Sequence, residues 1–247
     1  MGRAVSESAG NRRFDIVIPA LDEEGPLAQV LSELPRAGAT IAGAQLRAVV
    51  VCDNGSRDRT AEVARAAGAA VVHEPRRGYG SACLAALAHL RRDPPELVVF
   101  VDADHSDDPA DLPALLAPLL AGTADMVVGS RTLGVAEPGA FTPVQAFGNR
   151  LAPALLRLFW GVQVTDLGPF RAIRWAALER LRMRDRDYGW TVEMQARAFA
   201  AAVSYAEVPV AYRRRRLGRS KIAGTVRGVF GASIKILATI ARVRLGG

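Results

Sequence analysis

The 247-residue sequence predicts an α/β protein with a mostly parallel sheet flanked by helices. Three observations carry that expectation. Short, near-continuous apolar runs alternate with segments of helical spacing, the pattern of a sheet covered on both faces. Half of the residues are hydrophobic, which supplies a core for a single large domain. The runs also end in polar groups, at Ala20–Glu23, Asp53–Ser56, Asp102–Asp104 and Ser130–Arg131. In open parallel sheets, ligands bind beyond such carboxyl ends.

The elements follow in order. "FDIVIPALDEE" opens as a strand ending at Pro19. "EEGPLAQVLSELP" is a helix, because Leu27, Val30, Leu31 and Leu34 fall on one face. "LRAVVVCDNGS" is a strand with a glycine exit, and "RDRTAEVARAAG" is a helix stopped by Gly68. "AAVVHEP" is a third strand and "YGSACLAALAHLRRD" a helix. "ELVVFVDAD" is a fourth strand, "PADLPALLAPLLAG" a helix and "ADMVVGSR" a fifth strand. Beyond residue 131 the character changes. "VQAFGNRLAPALLRLFWG" is a helix with a kink expected at Pro153, "TDLGPFRAI" carries no assignment, "YGWTVEMQARAFAAA" is a helix, and "VSYAEVPVAYRRRR" is extended. Residues 1–13 read as a flexible N-terminus, 14–225 as the domain, and 226–247 as an amphipathic helix.

Composition narrows the function. Cys52 and Cys83 give neither a disulfide framework nor a metal spacing. The start lacks the apolar run of a signal peptide, and no run reaches the ~20 apolar residues of a membrane span. A soluble protein of a reducing compartment is expected. Residues 1–130 carry 12 Lys and Arg against 18 Asp and Glu, whereas residues 131–247 carry 20 against 7. The first half suits a cation and the second an anion. The arginines lack interleaved aromatics or a nucleic-acid motif, so nucleic acid is not expected as a partner.

"VDAD" raises the sharpest question. Asp102 and Asp104 are like charges at the end of a buried strand. A divalent cation neutralises both and uses their oxygens. The plain alternative is a solvated turn, with Asp107, Asp108 and Pro109 capping the next helix. Mg²⁺ or Mn²⁺ suits hard oxygen ligands, and without a Cys/His cluster zinc is not expected. No Walker loop is present, and "GYGSAC" lacks the third glycine of the dinucleotide fingerprint. An aspartate-nucleophile phosphatase is the rival enzyme class, although its Asp-x-Asp usually follows the first strand and not the fourth.

Eight segments then fall in a telling order: "VIPALDEE", "VCDNGSRDRT", "GYGSA", "VDADHSDDP", "GSR", "TDLGPFRAI", "VEMQARA" and "GRSKIAGT". In this the chain resembles family-2 glycosyltransferases of the GT-A (Rossmann-like) fold over roughly residues 14–225. It is most similar to the group of dolichol-phosphate mannosyltransferases and polyprenyl-phosphate glucosyltransferases. The resemblance implies inverting, metal-dependent transfer of a hexose, glucose or mannose, from UDP or GDP to polyprenyl phosphate. A soluble hydroxyl acceptor and a non-catalytic sugar-nucleotide binding module stay as alternatives. It further implies a cytoplasmic enzyme, peripheral on the inner face of the plasma membrane.

The resemblance places roles by position. Pro19, Ala20, Leu21 and Glu23 match the strand end against base and ribose. Asp53 matches the first aspartate of an Asp-Asp-Gly-Ser segment whose second is Asn54 here. Gly78, Gly80 and Ser81 match a segment passing close to the nucleotide, and Asp102, Ala103 and Asp104 match the metal and donor site. Arg131 is expected to face the phosphates. Asp166 and Arg171 lie in an acceptor-side motif, with an ion pair inside the fold as the alternative. Glu193 or Asp166 is the candidate base for a hydroxyl acceptor, and for a phosphate acceptor Glu193 is an orienting group. Arg219, Ser220 and Lys221 match a phosphate-closing segment; a solvated face is the alternative. Aligned on Asn149, the place where lipid-phosphate relatives often carry an extra arginine is Ala146 here, a departure, with Arg150 just after Asn149. Finally, Arg227, Lys235 and Arg242 share one arc of the tail helix, opposite Val226, Val229, Phe230, Ile236, Leu237, Ile240 and Val243. Such a helix lies on an anionic membrane, packs on its own domain, or serves a homodimer.

Overall fold

The computed structural model describes residues 11–141, 143–214 and 226–246, with side chains described outside 143–149 and 226–234. Seven strands form one sheet in the order β3-β2-β1-β4-β6-β5-β7. They are β1 Arg12–Ala20, β2 Ala44–Asp53, β3 Ala70–His73, β4 Leu97–Phe100, β5 Met126–Ser130, β6 Arg171–Arg174 and β7 Tyr205–Pro209. β1 starts inside the segment expected to be flexible, because Arg12 donates its amide to Gly43 and its guanidinium to Glu96.

The pairs β1–β2, β2–β3, β1–β4 and β5–β7 are parallel. Only β6 runs against its neighbours β4 and β5. The chain steps outward through β2 and β3, then returns to the other side of β1 with β4. That reversal makes a crevice at the carboxyl ends of β1 and β4, the expected ligand position in such sheets.

Alternate residues of each strand feed two cores. On one face Ile16, Ile18, Val51, Val99 and Val127 meet helices α1 (Glu24–Ala39) and α4 (Leu112–Leu120). The opposite face, carrying Val17, Val50, Cys52, Val98 and Phe100, meets α3 (Tyr79–Leu90), α6 (Trp175–Leu181) and α7 (Trp190–Ala200). Helix α2 (Thr60–Ala66) follows β2. α1 runs past Pro35, further than expected, because Leu34 and Gly38 continue its buried stripe.

A third cluster decides the place of the tail. Ile240 and Val243 of α8 (Val226–Arg244) pack with Ala152 and Leu156 of α5 (Pro143–Trp160) and with Val192 and Ala196 of α7. Of the readings open for the tail, its described apolar residues take the one in which it packs on its own domain. Among the described residues no helix is long and apolar enough to cross a membrane.

Candidate active site

The β1 and β2 exits are stitched into one wall. The Asn54 amide donates to Ala20 O (2.9 Å), and the Asp22 amide to Ser56 Oγ (3.0 Å). The Glu23 amide donates to Thr60 Oγ1, and the Arg57 amide to Asp22 Oδ1. This brings Pro19, Ala20, Leu21, Glu23 and Asp53 to one edge of the crevice. Asp53 is buried, accepts from the Ser56 amide, and lies 3.0 Å from His73 Nδ1.

Asn54 explains the departure from a second aspartate. Its Nδ2 donates to Glu74 O (2.9 Å) and Arg76 O (2.8 Å), and its Oδ1 accepts from the Gly78 amide (2.8 Å). A carboxylate cannot make the two donations. The side chain therefore ties the 74–78 loop to β2.

That loop delivers α3 into tight contact with residues 185–187. A Cβ on Gly78 would lie 2.1 Å from Arg186 O, and one on Gly80 would lie 2.1 Å from Asp185 O. Gly78 also has φ 138°. Ser81 is buried and donates both its amide and its hydroxyl to Arg186 O. Both glycines are thus needed for close backbone approach.

Beyond β4 the chain turns through four carboxyl groups, Asp102, Asp104, Asp107 and Asp108. Asp102 is half-buried, and its Oδ1 accepts from Tyr79 O–H (3.1 Å). Asp104 is buried, and its Oδ1 accepts from the Ser106 amide and hydroxyl. Asp107 does not cap the next helix; Asp108 does, accepting from the Ala110 amide. Asp107 turns back, so that its Oδ2 accepts from the Asp102 amide (3.2 Å), while its buried Oδ1 has no hydrogen-bond partner among the described residues. Burial, followed by the charges of Asp102 and Asp104, pushes the Asp107 carboxyl well above the usual range. This excess of negative charge, with an unsatisfied buried oxygen beside it, fits a hard divalent cation. Among the described residues no three acidic, His or Cys side chains close into a metal cage. An ion held here would complete its shell from other oxygens, as Mg²⁺-type sites commonly do with phosphates and water.

Arg131, expected to face the phosphates, is buried and ion-paired. Its amide, Nε and NH2 all donate to Asp166, the two guanidinium bonds at 2.7 Å. Phe141 and Tyr212 stack on each other, centres 5.1 Å apart, beside the guanidinium, with ring centres 5.2 and 4.9 Å from its carbon. Burial is the largest single influence and works against the charge, but the bonds and charge of Asp166, together with Tyr212 and Asp107, raise the Arg131 pKa overall. Asp166 is fully buried and forms its ion pair with Arg131.

Arg171 is also fully buried. It donates to the carbonyls of Leu167, Gly168 and Thr191, tying the 164–170 segment to the start of α7. Glu193 is buried and accepts from the Arg184 and Asp185 amides and from Arg197 Nε. It fixes the loop on which Gly78 and Gly80 rest.

Residues 210–214 lie beside the carboxylates. The Val210 amide donates to Ser130 O, Ala211 to Asp111 Oδ2, Tyr212 to Val135 O and Arg213 to Ser106 O. Arg213 adds an ion pair to Asp108 (2.6 Å). Arg219, Ser220 and Lys221 lie outside the described residues, as do the side chains of Ala146 and Asn149. Sequence reasoning missed Tyr79, Asp107 and Tyr212. The adjacency of Asp107 to the Asp-x-Asp was the one available signal.

A family model described as Glycosyl transferase family 2 matches residues 15–182. The chain belongs to glycosyltransferase family 2. This family membership sets aside the phosphatase reading of the Asp-x-Asp, and the chain is a glycosyltransferase. It is 40% identical to an uncharacterized glycosyltransferase of Mycobacterium tuberculosis, covering 86% of this chain and 91% of the relative. It is 32% identical to a dolichyl-phosphate hexose transferase of Haloferax volcanii (84% and 85% covered). With an undecaprenyl-phosphate mannosyltransferase of Micrococcus luteus the identity is 30% (73% and 77%). Among solved structures, glucosyl-3-phosphoglycerate synthase of M. tuberculosis superposes with a TM-score of 0.74 at 24% identity, covering 94% of this chain and 80% of that one. That crystal structure holds Mn²⁺, UDP-glucose and phosphoglyceric acid. The likeness gives this family-2 chain the GT-A fold.

Proposed function

We propose that the chain transfers a hexose, with inversion and with help from Mn²⁺ or Mg²⁺, from a nucleoside-diphosphate sugar to a polyprenyl phosphate. One observation carries the choice of acceptor. Both carboxylates considered as bases, Asp166 and Glu193, are buried and committed to arginine and backbone N–H donors. A hydroxyl acceptor must lose a proton to a base. A phosphate monoester, with a second pKa near ~6, is already a nucleophile at neutral pH. The names of the Haloferax and Micrococcus relatives support the same acceptor class.

In this reading the wall from Pro19 to Glu23, with Asp53, receives base and ribose. Gly78, Gly80 and Ser81 let the backbone pass close to the nucleotide. Asp102 and Asp104 hold the ion beside Ala103. The ion, when bound, offsets the charge that develops on the departing diphosphate. Arg131 and Asp166 act as a pair that keeps Tyr212 and the 210–214 segment against the carboxylate turn. Arg171 and Glu193 position the acceptor-side loops, and Arg219, Ser220 and Lys221 bind phosphate. The base, UDP or GDP, and the sugar, glucose or mannose, belong to the same proposal, with UDP-glucose in the structural neighbour supporting the first of each.

The second reading, transfer to a soluble hydroxyl acceptor, is favoured by that neighbour's phosphoglyceric acid. Radiolabelled UDP-glucose and GDP-mannose are offered with Mn²⁺ and either undecaprenyl-phosphate liposomes or 3-phosphoglycerate. Label moving into the organic phase as a phosphodiester is the expected result. Label confined to a water-soluble glycoside would replace the lipid acceptor with the soluble one.

A further inference from the structure

We propose that Tyr79 is a positioning residue for the Asp102 carboxylate, and through it for the divalent ion. This rests on the metal reading given above. The residue sits between the two glycines of "GYGSA", and its O–H donates to Asp102 Oδ1 at 3.1 Å.

What makes this contact more than a passing one is how firmly Tyr79 is held. The glycines on either side of it press against the carbonyls of Asp185 and Arg186. The Gly80 amide donates to Asp187 O (3.3 Å) and the Ser81 amide to Arg186 O (2.9 Å). The 184–187 loop is in turn held by Glu193 and by Lys235 of α8, whose Nζ lies 3.5 Å from Asp185 and 3.4 Å from Asp187. Below, the ring packs against the core cluster that contains Cys83 and Trp190. The phenol thus reaches Asp102 from a rigid seat across the crevice, whereas Asp102 itself leaves β4 on an irregular turn.

A donor on one carboxylate oxygen fixes rotation of the group and the direction of its lone pairs. Outer-shell partners of this kind typically govern metal affinity by about 10–100-fold. Phe in place of Tyr keeps the ring and removes only the hydroxyl.

The test is Mn²⁺ binding, followed by the loss of the free-ion electron paramagnetic resonance signal, in wild type, Tyr79→Phe, Tyr79→Leu and Asp104→Ala. Tyr79→Phe is expected to weaken Mn²⁺ about tenfold with its melting temperature held. Tyr79→Leu, which also loses ring packing, should melt lower yet lose no more Mn²⁺ affinity than Tyr79→Phe. Wild-type affinity in Tyr79→Phe would overturn the proposal, as would a loss that follows melting temperature across the two variants. If Asp104→Ala binds Mn²⁺ like wild type, the metal reading falls and this proposal with it. If Asp104→Ala loses the ion while Tyr79→Phe does not, this proposal alone falls.

Discussion

Asn54 shows how one side chain can convert a family position from charge to scaffold. Its amide group holds Glu74, Arg76 and Gly78 on one arc and so sets the approach of α3 to the crevice. Asn54→Asp would turn two donations into oxygen–oxygen repulsion and place a second carboxylate beside Asp53. Leaving buried groups unsatisfied costs about 1–3 kcal/mol each. We expect Asn54→Asp to lose about 2–4 kcal/mol in urea unfolding, whereas Asn54→Gln, which keeps the amide, loses less. At this scale legibility was uneven. Asp102 and Asp104 stand out because their charges are adjacent in sequence. The pair Arg131–Asp166 spans 35 positions, and no spacing rule brings such partners together. Tyr79 reads as an ordinary core aromatic until its hydroxyl is seen against Asp102.

Among the elements, β6 and α6 escaped the sequence because their signals are local contradictions. β6 is four residues long with arginine at each end, yet it lies inside the sheet between β4 and β5. Arg171 survives there by donating to three carbonyls, a solution no hydropathy pattern announces. α8 was legible as a helix, but its destination was not. Its wheel suits a membrane surface as well as a domain face, and it takes the structure to place Ile240 and Val243 against α5 and α7. Ile240→Ala is therefore expected to cost about 2–5 kcal/mol in denaturant unfolding. Ala at the exposed Leu237 should cost well under half of that. Equal, small losses at both sites would detach the helix from the domain.

For the molecule as a whole, the strand order does the gathering. Reversal at β1/β4 opens the crevice, the β1 and β2 exits form one wall, and α3 with the 184–187 loop forms another. The 210–214 segment runs beside the carboxylate turn. The parallel strands β1 to β5 were legible because each contains a short apolar run with polar residues at its exit. The first half carries the acidic excess and holds the carboxylate turn, while the second half brings the arginines to it. That division of charge is what a cation-assisted transfer of a phosphorylated donor requires.

The most direct measurement is calorimetric titration of UDP, GDP, UDP-glucose and GDP-mannose into wild type and Asp104→Ala, each with and without Mn²⁺. A ligand that binds only the native state also raises its stability, by about 2.7 kcal/mol at a hundredfold excess over Kd, so thermal shifts provide a second readout. We expect one nucleotide and its sugar to bind wild type in a Mn²⁺-dependent manner, and Asp104→Ala to lose that dependence. Binding that ignores Mn²⁺ in both proteins, or no binding of any of the four, would contradict the account.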